Sequence, residues 1–295
     1  MSHPVRYAVL TPARNEAARL PRLARSLAEQ TVPPALWLIL ENGSSDDTLA
    51  VAATLERTYP FARLFQVPAS PTRPVRGGPI VRAMHAGIEQ LKDGGYDFVM
   101  KVDADITWDA HYAERLLTEF ANDPSLGVAS GSCFEEHDGE WRQQHMTGDM
   151  VWCAARAYRA RCLQDVTPFE ERFGWDGIDI AKARLRGWRT HTFTDLPFWH
   201  HRTEGERDGT PSASWVNQGR GCYFLGYRPS YVALRAIGRA RREPRALSMI
   251  WGYVSEALKR GPRYHDREVV EFLRKEQRAR HLLQRARESV GSGRR

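Results

Sequence analysis

Phe98-Val99-Met100-Lys101-Val102-Asp103-Ala104-Asp105 is the stretch on which the fold turns. A short, mainly apolar run reads as one buried strand, here residues 97–102. Two carboxylates separated by one small residue follow it directly. In an open α/β sheet, ligands sit outside the carboxyl ends of the strands. A carboxylate pair there can hold a hard divalent cation against a diphosphate. A lone Asp-x-Asp is more often a solvated turn, so its meaning rests on its surroundings.

Toward the N-terminus, short β-rich runs alternate with helical patterns. Tyr7 to Leu10 reads as a strand. Leu20 to Glu29 reads as a helix with Leu20, Leu23 and Leu27 on one face, and Leu36 to Leu40 as a second strand. A helix then runs to about Glu56, followed by a strand from Arg63 to Val67 and a Pro/Gly-rich loop from Pro68 to Pro79. Ile80 to Leu91 is helical. Beyond the acidic pair come a helix from Ala110 to Phe120, a small-residue strand from Leu126 to Ser132 and a polar loop from Glu135 to Asp149. Asp176 to Arg186 is a helix and Thr190 to Phe193 a strand. This alternation predicts an α/β fold with a mostly parallel sheet flanked by helices.

Two loops lie at the same sheet edge as Asp103 and Asp105. One is Thr11-Pro12-Ala13-Arg14-Asn15-Glu16, after the first strand. The other is Glu41-Asn42-Gly43-Ser44-Ser45-Asp46-Asp47-Thr48, after the second. Their polar groups can hydrogen-bond a base and ribose. Taken singly, each also reads as an ordinary strand-to-helix loop with a good cap.

Taken together, these motifs resemble glycosyltransferase family 2, with the GT-A fold, over roughly residues 5–205. The family's Pro-x-x-Asn-Glu loop is matched by Pro12, Ala13, Arg14, Asn15 and Glu16. Its Asp-Asp-Gly-Ser-x-Asp-x-Thr loop is matched by Glu41, Asn42, Gly43, Ser44, Asp46 and Thr48, with Glu41-Asn42 where Asp-Asp is common. Arg82 to Ile88 resembles its Arg-x-x-x-Gly stretch, with His85 replacing a commoner Asn. The resemblance implies an inverting transferase using a nucleotide-sugar donor, UDP-sugar favoured, and a saccharide or lipid-linked acceptor. It assigns donor contacts to Thr11, Pro12, Ala13, Arg14, Asn15, Glu16, Glu41, Asn42, Ser44, Arg82, Asp103 and Ala104. It also implies a divalent cofactor, Mn²⁺ or Mg²⁺, on Asp103 and Asp105.

The family usually shows Glu-Asp-x-Asp-Leu opening a helix, with a carboxylate acting as base. Here the string is Asp176-Gly177-Ile178-Asp179-Ile180. The base role therefore passes to Asp176 or is shared with Asp179, which otherwise caps the helix, orients Arg184 or Arg186, or contacts the acceptor. A metal-completing histidine in the family matches His200-His201. Adjacent side chains on an extended chain point opposite ways, so at most one of the two is a ligand, and His200 is favoured. Trp141, His145, Asp149, Trp152 and Trp175 are candidates for an acceptor site, and Arg202 to Gly209 for a flap over the donor.

Composition bounds the alternatives. With 42% apolar residues in 295, the chain can bury a substantial core. No apolar run approaches the ~20 residues of a membrane-spanning helix. Met1 to Arg6 lacks the apolar core of a secretory signal, so a cytoplasmic protein is expected. Cys133, Cys153, Cys162 and Cys222 show no paired spacing. That lack of pairing argues against a structural zinc site, and the four read as reduced cytosolic thiols.

The net charge of +7 is uneven: residues 228–295 carry 18 Lys/Arg against 7 Asp/Glu. The expected organisation is a catalytic domain over 1–228 and a basic helical extension over 229–295. In the extension, Arg239, Arg241, Arg242, Arg245, Lys259, Arg260 and Arg263 interleave with Leu247, Ile250, Trp251 and Tyr253. That pattern suits an anionic membrane face, or equally a helical layer packed on the core or a subunit interface. Two other functions compete. A nucleotidyltransferase would show a Gly-rich triphosphate loop near the N-terminus, and Thr11 to Glu16 has no glycine. A membrane- or nucleic-acid-binding module would leave the acidic motifs unexplained, and nucleic acid is not an expected partner.

Overall fold

The computed structural model describes residues 5–69, 77–137, 139–144, 150–202, 211–241 and 243–278. The chain divides into two compact units, Met1–Arg202 and Thr203–Arg295.

The first unit begins with β1 (Tyr7–Ala13), α1 (Leu20–Ala28), β2 (Leu36–Glu41), α2 (Thr48–Thr58), β3 (Ala62–Gln66), α3 (Gly78–Gln90) and β4 (Phe98–Val102). It continues through β5 (Ile106–Trp108), α4 (Tyr112–Asn122), β6 (Leu126–His137), β7 (Glu140–Gln143), β8 (Ala155–Arg159), α5 (Ala160–Val166), α6 (Trp175–Leu185) and β9 (Arg189–His200). The strands form one mixed sheet in the order β3-β2-β1-β4-β8-β6-β9-β5, with β7 added to β6. β3, β2, β1 and β4 are mutually parallel, and β8 then runs antiparallel to both β4 and β6.

Near-continuous apolar runs form the first strands because helices cover both faces of the sheet. Alternate residues of each strand enter separate cores. Tyr7, Val9, Trp37, Ile39, Phe98 and Met100 pack with α1, α2 and α4. Ala8, Leu10, Leu38, Leu40 and Val99 pack with α3, α5 and α6. On α1, Leu20, Leu23, Ala24 and Leu27 supply the buried stripe, at helical spacing.

β5, β7, β8 and α5 have no counterpart in the sequence reading. Ala155-Arg156-Ala157-Tyr158 lacks a run of β-branched residues, and β8 becomes a strand through its ladders to β4 and β6. The segment read as a polar loop from Glu135 begins as a hairpin, in which Phe134 pairs with Gln143. β9 continues well past Phe193. Gly131 pairs with Phe193 but Ser132 with Pro197, so Thr194 to Leu196 bulge out. Only glycine fits at 131, because a Cβ there would lie 1.9 Å from the Leu196 carbonyl oxygen.

The second unit contains α7 (Pro211–Phe224), α8 (Pro229–Ala240), a 3-10 turn at Pro244–Leu247, α9 (Ser248–Leu258) and α10 (Arg267–Glu276). The change of charge near residue 228 falls inside this unit, between α7 and α8. Its own core gathers Trp215, Tyr223, Val232, Ala236, Met249 and Tyr253. Tyr253 is buried and donates to the Tyr227 carbonyl at 2.9 Å. Arg263 stacks over Tyr223 and Arg239 over Trp215, so part of the basic character serves internal packing. Arg242 lies outside the described residues.

Candidate active site

β1 and β2 end side by side, and their following loops are laced together. The Asn15 N–H donates to Ser44 Oγ at 3.1 Å, the Ser45 N–H to Asn15 Oδ1 at 2.8 Å, and the Glu16 N–H to Thr48 Oγ1 at 2.8 Å. Asn15 adopts φ 57°, a left-handed conformation that Asn tolerates. Asn42 bonds the Ala13 carbonyl through its N–H and the Pro79 carbonyl through its side chain, both at 2.9 Å. Glu41 is buried, and one oxygen accepts the Ser44 N–H at 2.6 Å. Thr11 and Ala13 are buried, and Trp37 Nε1 donates to Thr11 Oγ1. Pro12 is half-buried, and Arg14 is exposed.

On α3, Arg82 reaches Glu171 at 3.5 Å. His85 accepts the Phe169 N–H on Nε2 at 2.9 Å and stacks on the Phe169 ring. That bond needs an unprotonated nitrogen, and burial pushes the His85 pKa down, against the pull of Glu171. Below about pH 6.5 the unfolded chain therefore binds a proton that the folded chain resists, and stability falls as pH drops from there toward the folded value. His85→Asn keeps an acceptor and removes the titration. The variant's Tm should depend less on pH in that window, and an unchanged profile in Tm measurements would contradict this role.

At the end of β4 the Asp103 N–H donates to the Ala154 carbonyl at 2.8 Å, and Lys101 Nζ donates to Asp103 Oδ1 at 2.6 Å. Burial is the largest influence and works against the Lys101 charge, but Asp103 and Cys153 together hold its pKa above the usual value. Ala104 is packed in the core. Asp105 is buried, with Oδ1 3.3 Å from His200 Nε2 and Oδ2 3.4 Å from Arg202 Nε. Glu135 Oε1 lies 3.3 Å from the other imidazole nitrogen, Nδ1. Burial opposes a charge on His200, yet hydrogen bonds to Asp105, Cys133 and Glu135 push its pKa up to about 12. Arg202 also donates to Glu16 at 2.7 Å, tying the first loop to Asp105. His201 faces away, bonded to Thr107 Oγ1 at 2.8 Å and edge-on to Trp141. The structure thus brings Asp105 and His200 together and separates His201 from them.

α6 begins after Gly174, whose φ of 95° suits glycine. Asp176 is half-buried in its first turn. Asp179 is fully buried, and its partners are Arg156 and Tyr158, not Arg184 or Arg186. Arg156 Nη1 approaches its two oxygens at 2.9 and 2.7 Å, and the Tyr158 hydroxyl donates to Oδ2. The same Nη1 donates to the Asp176 carbonyl oxygen at 3.0 Å, pinning the turn that carries Asp176.

Lys101, Glu135 and Arg156 are functional candidates that the sequence reading missed, and Arg202, read there only as the start of a flap, is the partner of Glu16 and Asp105. Lys101 left a signal: it is the one cation in an otherwise apolar strand, two residues from Asp103 on the same face. Trp175, read as a candidate acceptor contact, is buried against Phe169 in the core. Trp152 is partly buried against the other core, and Trp141 is exposed on β7. His145, Asp149 and residues 203–209 of the expected flap lie outside the described residues.

A mixed sheet flanked by helices, with polar loops and acidic side chains gathered at the carboxyl ends of β1, β2 and β4, is the GT-A architecture of the glycosyltransferases. The sequence pattern of Glycosyl transferase family 2 matches residues 8–178, and the chain belongs to that family. A search of curated protein sequences finds no match.

Among solved structures, the mannosyltransferase PcManGT from Pyrobaculum calidifontis, in complex with GDP-Man and Mn²⁺, superposes with a TM-score of 0.58 at 14% identity. The match covers 97% of this chain and 84% of that one. S. aureus TarS gives a TM-score of 0.54 at 17% identity, over 75% of this chain and 40% of TarS. TarS 1–349 in complex with UDP-GlcNAc gives 0.54 at 17% identity, over 87% of this chain and 74% of that one.

Proposed function

We propose that the chain is an inverting, metal-dependent glycosyltransferase that moves a hexosyl group from a nucleoside diphosphate donor, UDP favoured, to a hydroxyl of a saccharide or lipid-linked acceptor. The observation that carries this reading is the convergence of the laced loops at 11–16 and 41–48 with the Asp105–His200–Glu135 chain at one sheet edge. The solved relatives with GDP-Man and UDP-GlcNAc support the donor class.

The side chains suit a divalent cation. An imidazole with one nitrogen toward Asp105 and a carboxylate on the other is how proteins orient a metal-binding histidine. Mn²⁺ or Mg²⁺, held by Asp103, Asp105 and His200, would supply positive charge to the leaving diphosphate. Lys101 aligns Asp103, and Arg202 neutralises Glu16 and Asp105 in the buried cleft. Thr11 to Glu16, Glu41, Asn42, Ser44 and Arg82 serve the nucleotide, with Glu41 or Asn42 toward the base. Asp176 accepts the proton of the acceptor hydroxyl. The hydroxyl oxygen then attacks the anomeric carbon from the face opposite the diphosphate, which leaves with the bonding electrons.

UDP should raise the Tm, and more so with Mn²⁺ present. A ligand at about 100 times its Kd adds roughly 2.7 kcal/mol. Glu41→Ala should weaken UDP binding in calorimetry. A response to purine nucleotides alone would show that the second loop has been misread.

The second unit supports a further element, peripheral attachment to the cytoplasmic membrane face. Trp251, Val254 and Leu258 are exposed at helical spacing along α9, Leu247 continues that row just before it, and Arg245, Lys259 and Arg260 flank them. Among the described residues, no helix is long and apolar enough to cross a membrane. Trp251→Ser with Leu258→Ser should weaken sedimentation with phosphatidylglycerol vesicles by at least tenfold, since each side chain contributes about 1.5–3 kcal/mol when buried. Equal sedimentation of both proteins would dispose of the attachment.

A further inference from the structure

The ends of β6 and β9 carry aromatic side chains on the face opposite Glu135 and His200. Phe134 pairs with Trp199 of β9 and with Gln143 of β7, and Trp199 pairs with Thr107 of β5. One step along, Glu136 pairs with Trp141. Paired residues share a face and neighbours in a strand alternate, so Phe134, Glu136, Trp141, Gln143, Trp199 and Thr107 stand together. His201 joins them, bonded to Thr107 Oγ1 and edge-on to the Trp141 ring at 5.3 Å.

This face is also the one that bears α6. Val128, six residues before Phe134 on β6, pairs with Tyr158 of β8, and both are buried with Trp175 and Ile180 of α6. Arg156, two residues before Tyr158 and on the same face, holds the Asp176 carbonyl. Phe134, Trp141 and Trp199 enter none of the three apolar cores of the described residues. Phe134 and Trp199 are half-buried, and Trp141 is 38% exposed. Core packing does not account for these rings, and aromatic surface gathered on one open face marks a binding site.

The groups among the rings select the occupant. An acyl chain laid here would strip water from Glu136 and Gln143 and offer them no hydrogen bond in return. Nucleic-acid bases stack on aromatics in strongly basic grooves. Here Glu136 and the paired Glu140 and Arg142, 3.3 Å apart, give the patch no surplus of positive charge. A sugar ring presents C–H groups on its faces and hydroxyls around its rim, which suits rings interleaved with carboxylate and amide groups.

We propose that Phe134, Trp141 and Trp199 form a stacking platform for the saccharide of the acceptor, with Glu136 and Gln143 taking hydrogen bonds from its hydroxyls. The proposal rests on the transferase reading in which Asp176 is the base, because platform and base then address the acceptor from one face of the sheet.

The test titrates the full chain with a panel of neutral oligosaccharides of glucose, N-acetylglucosamine, mannose and galactose, followed by tryptophan fluorescence and calorimetry. The expected result is saturable binding of at least one of them, with a blue shift of the emission. Trp141→Ala and Trp199→Ala should each weaken it about tenfold, the upper end for one aromatic contact. Trp141→Phe keeps a ring and should retain most of the affinity. UDP affinity should not change in any of these variants. No binding of any member of the panel, or equal binding by wild type and Trp141→Ala, overturns the platform. If Trp199→Ala does not fold, Trp141→Ala decides. Binding to phosphatidylglycerol vesicles that Trp141→Ala abolishes, with no oligosaccharide bound, would assign the face to lipid and also overturn it. Failure of the platform alone leaves UDP binding intact, whereas failure of the transferase reading shows as absent UDP binding beside intact oligosaccharide binding.

Discussion

Asp105→Asn is expected to abolish sugar transfer, lowering kcat by about 10³-fold or more, equivalent to roughly 4 kcal/mol of transition-state stabilisation. The substitution keeps the shape of the side chain and removes the charge that faces both His200 and Arg202. Glu135 and Glu16 still compensate those two cations, so the fold should survive with a modest drop in Tm. Asp103→Asn should lose activity as well, with Lys101 Nζ left beside a neutral oxygen. The check is initial rate with Mn²⁺ for each variant beside its Tm, together with the wild-type rate in excess EDTA. Full activity in either variant, or turnover undiminished by EDTA, would remove the metal-dependent mechanism.

Asp176→Asn and Asp179→Asn should fail in different ways, and the contrast tests the assignment of the base. Asp176 is half-buried at the start of α6, where an acceptor can reach it. General-base catalysis contributes about 10²–10⁴-fold, so Asp176→Asn should lower kcat by that factor with UDP affinity and Tm nearly unchanged. Asp179 has another task. Burial pushes its pKa up, Arg156 opposes that shift, and the pair is almost wholly removed from water. Breaking such a pair leaves an uncompensated buried guanidinium, at a cost of about 3–5 kcal/mol. Asp179→Asn should therefore appear first as a large fall in Tm. Some loss of kcat should follow, because Arg156 also holds the Asp176 carbonyl. The decisive data are kcat, UDP calorimetry and denaturant unfolding for both variants. A dead but stable Asp179→Asn beside an active Asp176→Asn would reverse the roles.

The strands and loops at the carboxyl ends of β1, β2 and β4 were legible from residue order alone. Apolar runs of strand length at Tyr7, Leu36 and Phe98, each followed by a helical pattern, specify parallel strands whose loops share one edge. Burial on both faces leaves little other arrangement for such runs. Motif spacing along Pro12 to Glu16, Glu41 to Thr48 and Asp103 to Asp105 is local information, and it carried the family assignment. The opposed orientation of His200 and His201 was likewise legible, since alternation along an extended chain is a property of the backbone.

What only the tertiary structure decided is which distant charges meet. β8 alternates Arg156 and Tyr158 with alanines, and its place between β4 and β6 is what turns Arg156 toward Asp179 and brings Lys101 alongside. Glu135 joins His200 across a strand pair whose register depends on the bulge at Thr194 to Leu196. The assembled sheet also drew Trp175 into the core and kept Trp141 outside. A buried charge must find its partner in space, and sequence separation says nothing about that distance. The chain alone therefore determined the fold class and the loops at the edge of β1, β2 and β4, while packing determined the partners of Asp105, Asp179 and His200.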